Sequence, residues 1–81
     1  MNENNPPLNH FFVDSKKYET QHTSLKGLEI KTIAGVPANY QLFLEEHGTA
    51  PDRVISDGED VNMQPPPKHF YAVPPATFGR K

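Results

Sequence analysis

The chain has no cysteine and no tryptophan, and only 35% of its 81 residues are apolar. Without cysteine there is no disulfide, no thiolate zinc site and no nucleophilic thiol. No apolar run approaches the roughly 20 residues that cross a bilayer. Residues 1–9 lack the basic start and apolar stretch of a signal peptide. The expectation is a soluble, cytoplasmic protein. Neither sign of charge dominates: eight bases against ten acids leave a net charge of -2. Nucleic-acid binding driven by counterion release is therefore not indicated. The length allows one domain with a small core. So few apolar side chains cannot line both a core and a deep substrate cavity.

Catalytic constellations are lacking too. His10, His22, His47 and His69 lie in separate segments without the spacing of metal ligands. No phosphate-binding glycine loop or nucleophile elbow occurs. The acids Asp57, Glu59 and Asp60 lack the spacing and closing glutamate of a calcium loop, and read as a solvated acidic loop. With no nucleophile–base pair and no ligand set, the expectation is a protein that is not an enzyme and takes no metal or cofactor.

What is present is a sequence of short elements. Residues 1–9 have no periodicity and read as a disordered lead. His10 to Asp14 alternates as a strand, with Phe11 and Val13 on one face and Phe12 on the other. After a polar break from Asp14 to Lys17, with the turn formers Asp14 and Ser15 at its start, strand character resumes to His22, which makes a hairpin. Thr23-Ser24 offers a helix N-cap and Gly35 a stop. Between them Ile30, Ile33 and Ala34 fall on one helical face, and Leu25 is placed to staple onto Ile30. Gly27 weakens that helix unless something must pass close to it.

Tyr40 to Glu45 is the clearest strand, with Leu42 and Leu44 on one face and Phe43 on the other. Six acids and one base, Arg53, crowd the stretch from Glu45 to Asp60 around the apolar island Val54-Ile55, long enough for one short strand. Val61 and Met63 alternate weakly before Pro65-Pro66-Pro67, which cannot form a central strand. Lys68 to Val73 is the last strand, ended by Pro74-Pro75. A hairpin, one helix and further strands bury their apolar faces most simply as one sheet over one helix. The expected class is α+β, a β-grasp with a mixed sheet of four to five strands packed on one helix. The expected buried layer is Phe11, Val13, Leu25, Ile30, Ile33, Leu42, Leu44, Ile55 and one face of the last strand.

Residues 10–75 form this domain, and 76–81 follow as a flexible tail. The proline pair is stiff and extended, with little conformational entropy left to lose. Beyond it Ala76-Thr77-Phe78 leads to Gly79, where the absent Cβ allows close approach by another protein. From composition alone a frayed terminus is the favoured reading of these residues.

Four blocks carry a resemblance. Ile30-Lys31-Thr32-Ile33-Ala34-Gly35-Val36, then Asn39-Tyr40-Gln41-Leu42-Phe43-Leu44-Glu45, then Pro51-Asp52-Arg53-Val54-Ile55-Ser56-Asp57, and above all His69-Phe70-Tyr71-Ala72-Val73-Pro74-Pro75-Ala76-Thr77-Phe78-Gly79 resemble the bacterial multiubiquitin-domain family. The resemblance implies a β-grasp, ubiquitin-like protein modifier. It implies as partners a ubiquitin-activating-type enzyme, a conjugating-type enzyme, a JAB-family metalloprotease and acceptor proteins, in bacterial conjugation systems some of which are antiviral. In that scheme the C-terminal glycine carboxylate is adenylated with ATP, passed to an enzyme cysteine, and joined to an acceptor. Gly79 matches that glycine, with Pro74, Pro75, Thr77 and Phe78 as the tail the partners would recognise.

The sequence departs from the pattern in three ways. It holds one domain where many members carry tandem copies, and Phe78 precedes a single Gly79 where ubiquitin has two glycines. Arg80-Lys81 follows Gly79, so activation requires cleavage between Gly79 and Arg80. Ubiquitin is also read through an apolar patch on the outer face of its sheet. The strand period puts Phe43 on that face if Leu42 and Leu44 point in. In the last strand either Phe70 and Ala72 or Tyr71 and Val73 face out, and Tyr71 and Val73 are favoured because Phe70 is the better core filler. They form either a partner-binding patch or scattered exposed residues of the ordinary kind. Two other readings stay open: a non-covalent interaction module of the same fold, and a sulfur carrier, a class that characteristically ends in Gly-Gly. Lys16, Lys17, Lys26, Lys31 and Lys68 are read as surface lysines.

Overall fold

The computed structural model describes residues 7–76. Along the chain run β1 (Asn9–Val13), β2 (Lys16–Thr20), β3 (Ser24–Lys26), α1 (Gly27–Ala34), β4 (Gln41–Leu44), β5 (Arg53–Ile55), β6 (Asp60–Asn62) and β7 (Lys68–Val73). Five strands form a mixed sheet in the order β2-β1-β7-β4-β5, and β3 pairs with β6 separately. β1 and β7 lie side by side and parallel, while the other pairs are antiparallel. One short helix packs on this sheet. The architecture is α+β, the β-grasp.

The core follows the two-residue period of the strands. Phe11 and Val13 from β1, Leu42 and Leu44 from β4, Ile55 from β5 and Phe70 from β7 all point inward and are buried. Phe11 and Phe70 meet edge to face, with ring centres 6.2 Å apart. Leu25, Ile30, Val61 and Met63 close the opposite side. Burying a large apolar side chain contributes roughly 1.5–3 kcal/mol, and this layer is what holds so short a helix in place.

The helix differs from expectation at its start. Thr23-Ser24 does not cap it, because Ser24, Leu25 and Lys26 pair with Asn62, Val61 and Asp60 as β3. Leu25 is therefore buried from a strand rather than acting as a staple. The first turn finds its hydrogen-bond partners elsewhere. The Gly27 N–H donates to the Glu59 carbonyl, the Leu28 N–H to the Asp57 carbonyl, both at 3.1 Å, and Glu29 Oε1 accepts from the Lys26 N–H at 2.7 Å. Gly27 sits where that turn crosses: a Cβ there would lie 2.2 Å from the Ser56 carbonyl oxygen. The expected stop holds. Gly35 has φ 73°, and the N–H groups of Gly35 and Val36 close on the carbonyls of Thr32 and Lys31.

Two further expectations are corrected. Ile33 is not in the core but 41% exposed. The buried line of α1 runs through Gly27, Ile30 and Lys31, and at about 100° per residue Ile33 falls roughly a third of a turn away from it. Lys31 is not a surface lysine. It is 3% exposed, and its Nζ donates to the carbonyls of Ala38 (2.7 Å) and Tyr40 (2.9 Å) and pairs with Asp57 (2.7 Å). A buried ammonium needs such partners. Here it stitches the helix to the loop entering β4 and to the turn after β5. The first strand also starts earlier than read: Asn9 is buried, and its Nδ2 donates to the His22 carbonyl at 2.8 Å.

Candidate functional site: the outer sheet face and the root of the tail

The solvent side of the sheet is aromatic along its middle. Phe43 and Tyr71 face each other across β4 and β7 and stack with ring centres 5.1 Å apart. Phe12 and His69 do the same across β1 and β7, at 4.5 Å and 3° between planes. Val54, opposite Phe43 on β5, is 47% exposed, and Val73, opposite Gln41, is 39% exposed. Phe43 and Tyr71 are half-buried. The structure thus brings Phe43 and Tyr71 into contact and sets Val73 two residues further along the same face. Phe12, His69 and Val54 belong to the same stripe. Their alternation with buried neighbours marks the face in the sequence; which strands stand side by side does not show in it.

Carboxylates flank one end of this stripe. The Tyr71 hydroxyl donates to Asp52 Oδ2 at 2.9 Å, and Asp52 Oδ1 accepts from the Glu46 N–H at 3.1 Å. The hydrogen bond to Asp52, some desolvation and the nearby negative charges of Asp52 and Glu45 hold the phenol's pKa above its ordinary value. Arg53 pairs with Glu59 and, at 3.9 Å, with Glu46. The hydrogen bond from Arg53, with a backbone hydrogen bond from Ser56 assisting, keeps the Glu59 carboxyl below its ordinary range. Among the described residues, no three His, Asp or Glu gather closely enough to hold a metal ion.

β7 carries the chain from the sheet centre through Val73 into Pro74-Pro75, both exposed. The remaining tail residues named from the sequence, Thr77, Phe78 and Gly79 with the Gly79–Arg80 bond, lie outside the described residues. Sequence reasoning missed Asp14, which it took as a turn former only. Its Oδ1 accepts from the Ala72 N–H at 3.2 Å, at the root of the tail. Beside this contact a groove of about 230 Å³ runs between the hairpin tip, the end of α1 and Ala72, lined by Val13, Tyr18, Val36 and Pro37. Among the described residues no helix is long and apolar enough to cross a membrane.

A mixed sheet with β1 and β7 parallel at its centre, one helix beneath it and a proline-stiffened exit from the last strand define a ubiquitin-like β-grasp protein. The chain belongs to the multiubiquitin family, whose model matches residues 10–74. No curated protein and no solved structure matches it.

Proposed function

We propose that this chain is a ubiquitin-like protein modifier of a bacterial ubiquitination-like pathway of the kind associated with antiviral defence. It is made as a precursor. Hydrolysis of the Gly79–Arg80 bond by a JAB-family metalloprotease releases Arg80-Lys81 and frees the glycine carboxylate. An activating-type enzyme then forms the acyl adenylate from ATP with loss of pyrophosphate. A cysteine displaces AMP, and a conjugating-type enzyme hands the acyl group to an acceptor nucleophile. The chemistry belongs to the partners. This chain is no enzyme: it contributes a recognisable body and the carboxylate, through an isopeptide or ester bond formed in the cytoplasm. The family match over residues 10–74 is the observation that carries the reading. Pro74, Pro75, Thr77 and Phe78 are its tail-recognition residues, and Phe43, Tyr71 and Val73 its patch for docking partners.

Co-expression with the three enzymes followed by mass spectrometry tests this. Loss of Arg80-Lys81 and adducts linked through Gly79 are expected, and Gly79→Glu abolishes them. Adducts that survive Gly79→Glu would place the attachment site elsewhere.

A second reading is a non-covalent interaction module, favoured by the two stacked aromatic pairs on the outer face. It predicts that removing residues 76–81 leaves partner binding intact while Phe43→Ala weakens it. The sulfur carrier ranks below both, since Phe78 stands where such carriers have the first of two glycines. A terminal sulfur-for-oxygen mass shift is its signature.

A further inference from the structure

Asp14 meets β7 twice. Its backbone N–H donates to the Phe70 carbonyl at 3.0 Å, and its Oδ1 accepts from the Ala72 N–H at 3.2 Å. The two bonds bracket Tyr71. The last β1–β7 pair is Val13 with Phe70, so Asp14 stands opposite Tyr71. In a regular parallel ladder, the residue in that place donates to the preceding carbonyl and accepts, through its own carbonyl, from the following amide. β1 does not supply that carbonyl, because the chain turns back there: Asp14 has φ 52° and Ser15 φ 70°, the two-residue hairpin geometry. Neither residue is glycine, so the turn holds side chains in a region they rarely adopt. The carboxylate stands in for the missing carbonyl and adds one more rung on this flank of β7. On the other flank Val73 still pairs with Gln41, and the next two residues are prolines, which have no N–H to offer.

We infer that Asp14 is a positioning residue that fixes the direction in which the chain leaves the body at Pro74. The role rests on the modifier reading, in which an enzyme holds the folded body and must find Gly79 beyond the prolines. A stiff stalk carries the direction of its root outward. Loosening the root spreads the tail over a wider cone and lowers its effective concentration at the partner's active site.

The test compares the whole chain with two variants. Asp14→Asn keeps the oxygen acceptor and tolerates positive φ. Asp14→Gly keeps the turn but removes the acceptor. By NMR-detected hydrogen exchange, the Ala72 amide is expected to exchange at least fivefold faster in Asp14→Gly and within twofold of wild type in Asp14→Asn. The core amides of Phe11 and Ile55 stay unchanged. ATP–pyrophosphate exchange, run on chains ending at Gly79 with a ubiquitin-activating-type enzyme from the same genome, reads the consequence. Asp14→Gly raises KM severalfold at unchanged kcat, and Asp14→Asn restores it. Unaltered Ala72 exchange in Asp14→Gly overturns the ladder role. Faster Ala72 exchange with an unaltered KM overturns the positioning role. Absence of pyrophosphate exchange with the wild-type chain overturns the modifier reading and the positioning role with it, while the Ala72 result still decides the hydrogen bond.

Discussion

The phenol of Tyr71, on the fourth residue of β7, donates to a carboxylate 19 residues earlier: its hydroxyl lies 2.9 Å from Asp52 Oδ2. The other oxygen of Asp52 holds the Glu46 N–H, so one acid binds the acidic connection after β4 down onto the aromatic stripe. The stripe and its carboxylate rim are therefore one surface. A partner with an apolar ridge flanked by basic side chains complements it.

This arrangement has a pH signature. Ionising Tyr71 would remove the donor and set a phenolate against Asp52, which is why its pKa is raised. A raised pKa favours the neutral phenol in the folded state. The stabilisation is complete below the ordinary tyrosine pKa and disappears as pH rises through the elevated value. Ultraviolet titration, with Tyr71→Phe isolating this residue among the three tyrosines, is expected to show Tyr71 ionising above the ordinary value. Asp52→Asn moves it back down.

Gly27 allows no side chain. The Ser56 carbonyl occupies the place of a Cβ, and backbone rather than a flexible side chain would have to move. Although alanine is the better helix former, Gly27→Ala is expected to destabilise the protein by about 1–3 kcal/mol. Thermal or urea unfolding measures it. Gly35→Ala tests a different cause, the left-handed φ of 73°, with open space around the Cβ.

Lys31 is closed to reagents. Its three oxygen partners and near-complete burial predict that it resists acylation in the native protein, while Lys16, Lys17 and Lys68 react. Peptide mapping after brief treatment with an amine-reactive ester reads this directly. Lys31→Met strands the carbonyls of Ala38 and Tyr40 and is expected to cost about 1–3 kcal/mol. Lysine-linked chains of this protein, where they form, avoid residue 31.

Much of this is legible in the sequence. The alternation of Phe11, Val13, Leu42, Leu44 and Phe70 with Phe12, Phe43 and Tyr71 separates inside from outside, because a strand's period is fixed by its geometry. Gly35 and the proline pairs mark ends for equally local reasons. What stayed hidden depends on partners distant in sequence. β3 and β6 are three residues each and carry too little pattern to stand out from loop. That pairing takes Ser24 away from the helix and moves its start to Gly27. Lys31 reads as surface because its charge is satisfied by carbonyls seven and nine residues on and by Asp57. Asp14 reads as a turn former because its carboxylate works on a strand 58 residues later. In the candidate site the face was visible residue by residue, but the stacking of Phe12 on His69 waits on β1 and β7 being parallel neighbours.

A modifier function depends on Gly79 as an acyl donor. The most direct measurement is top-down mass spectrometry of the protein recovered from its native cells, both free and in higher-mass species. The modifier account predicts a free form lacking Arg80 and Lys81, and higher-mass species in which the Gly79 carbonyl is bonded to a nucleophile of another protein. A free form that keeps both basic residues, with no linkage through Gly79, would contradict it.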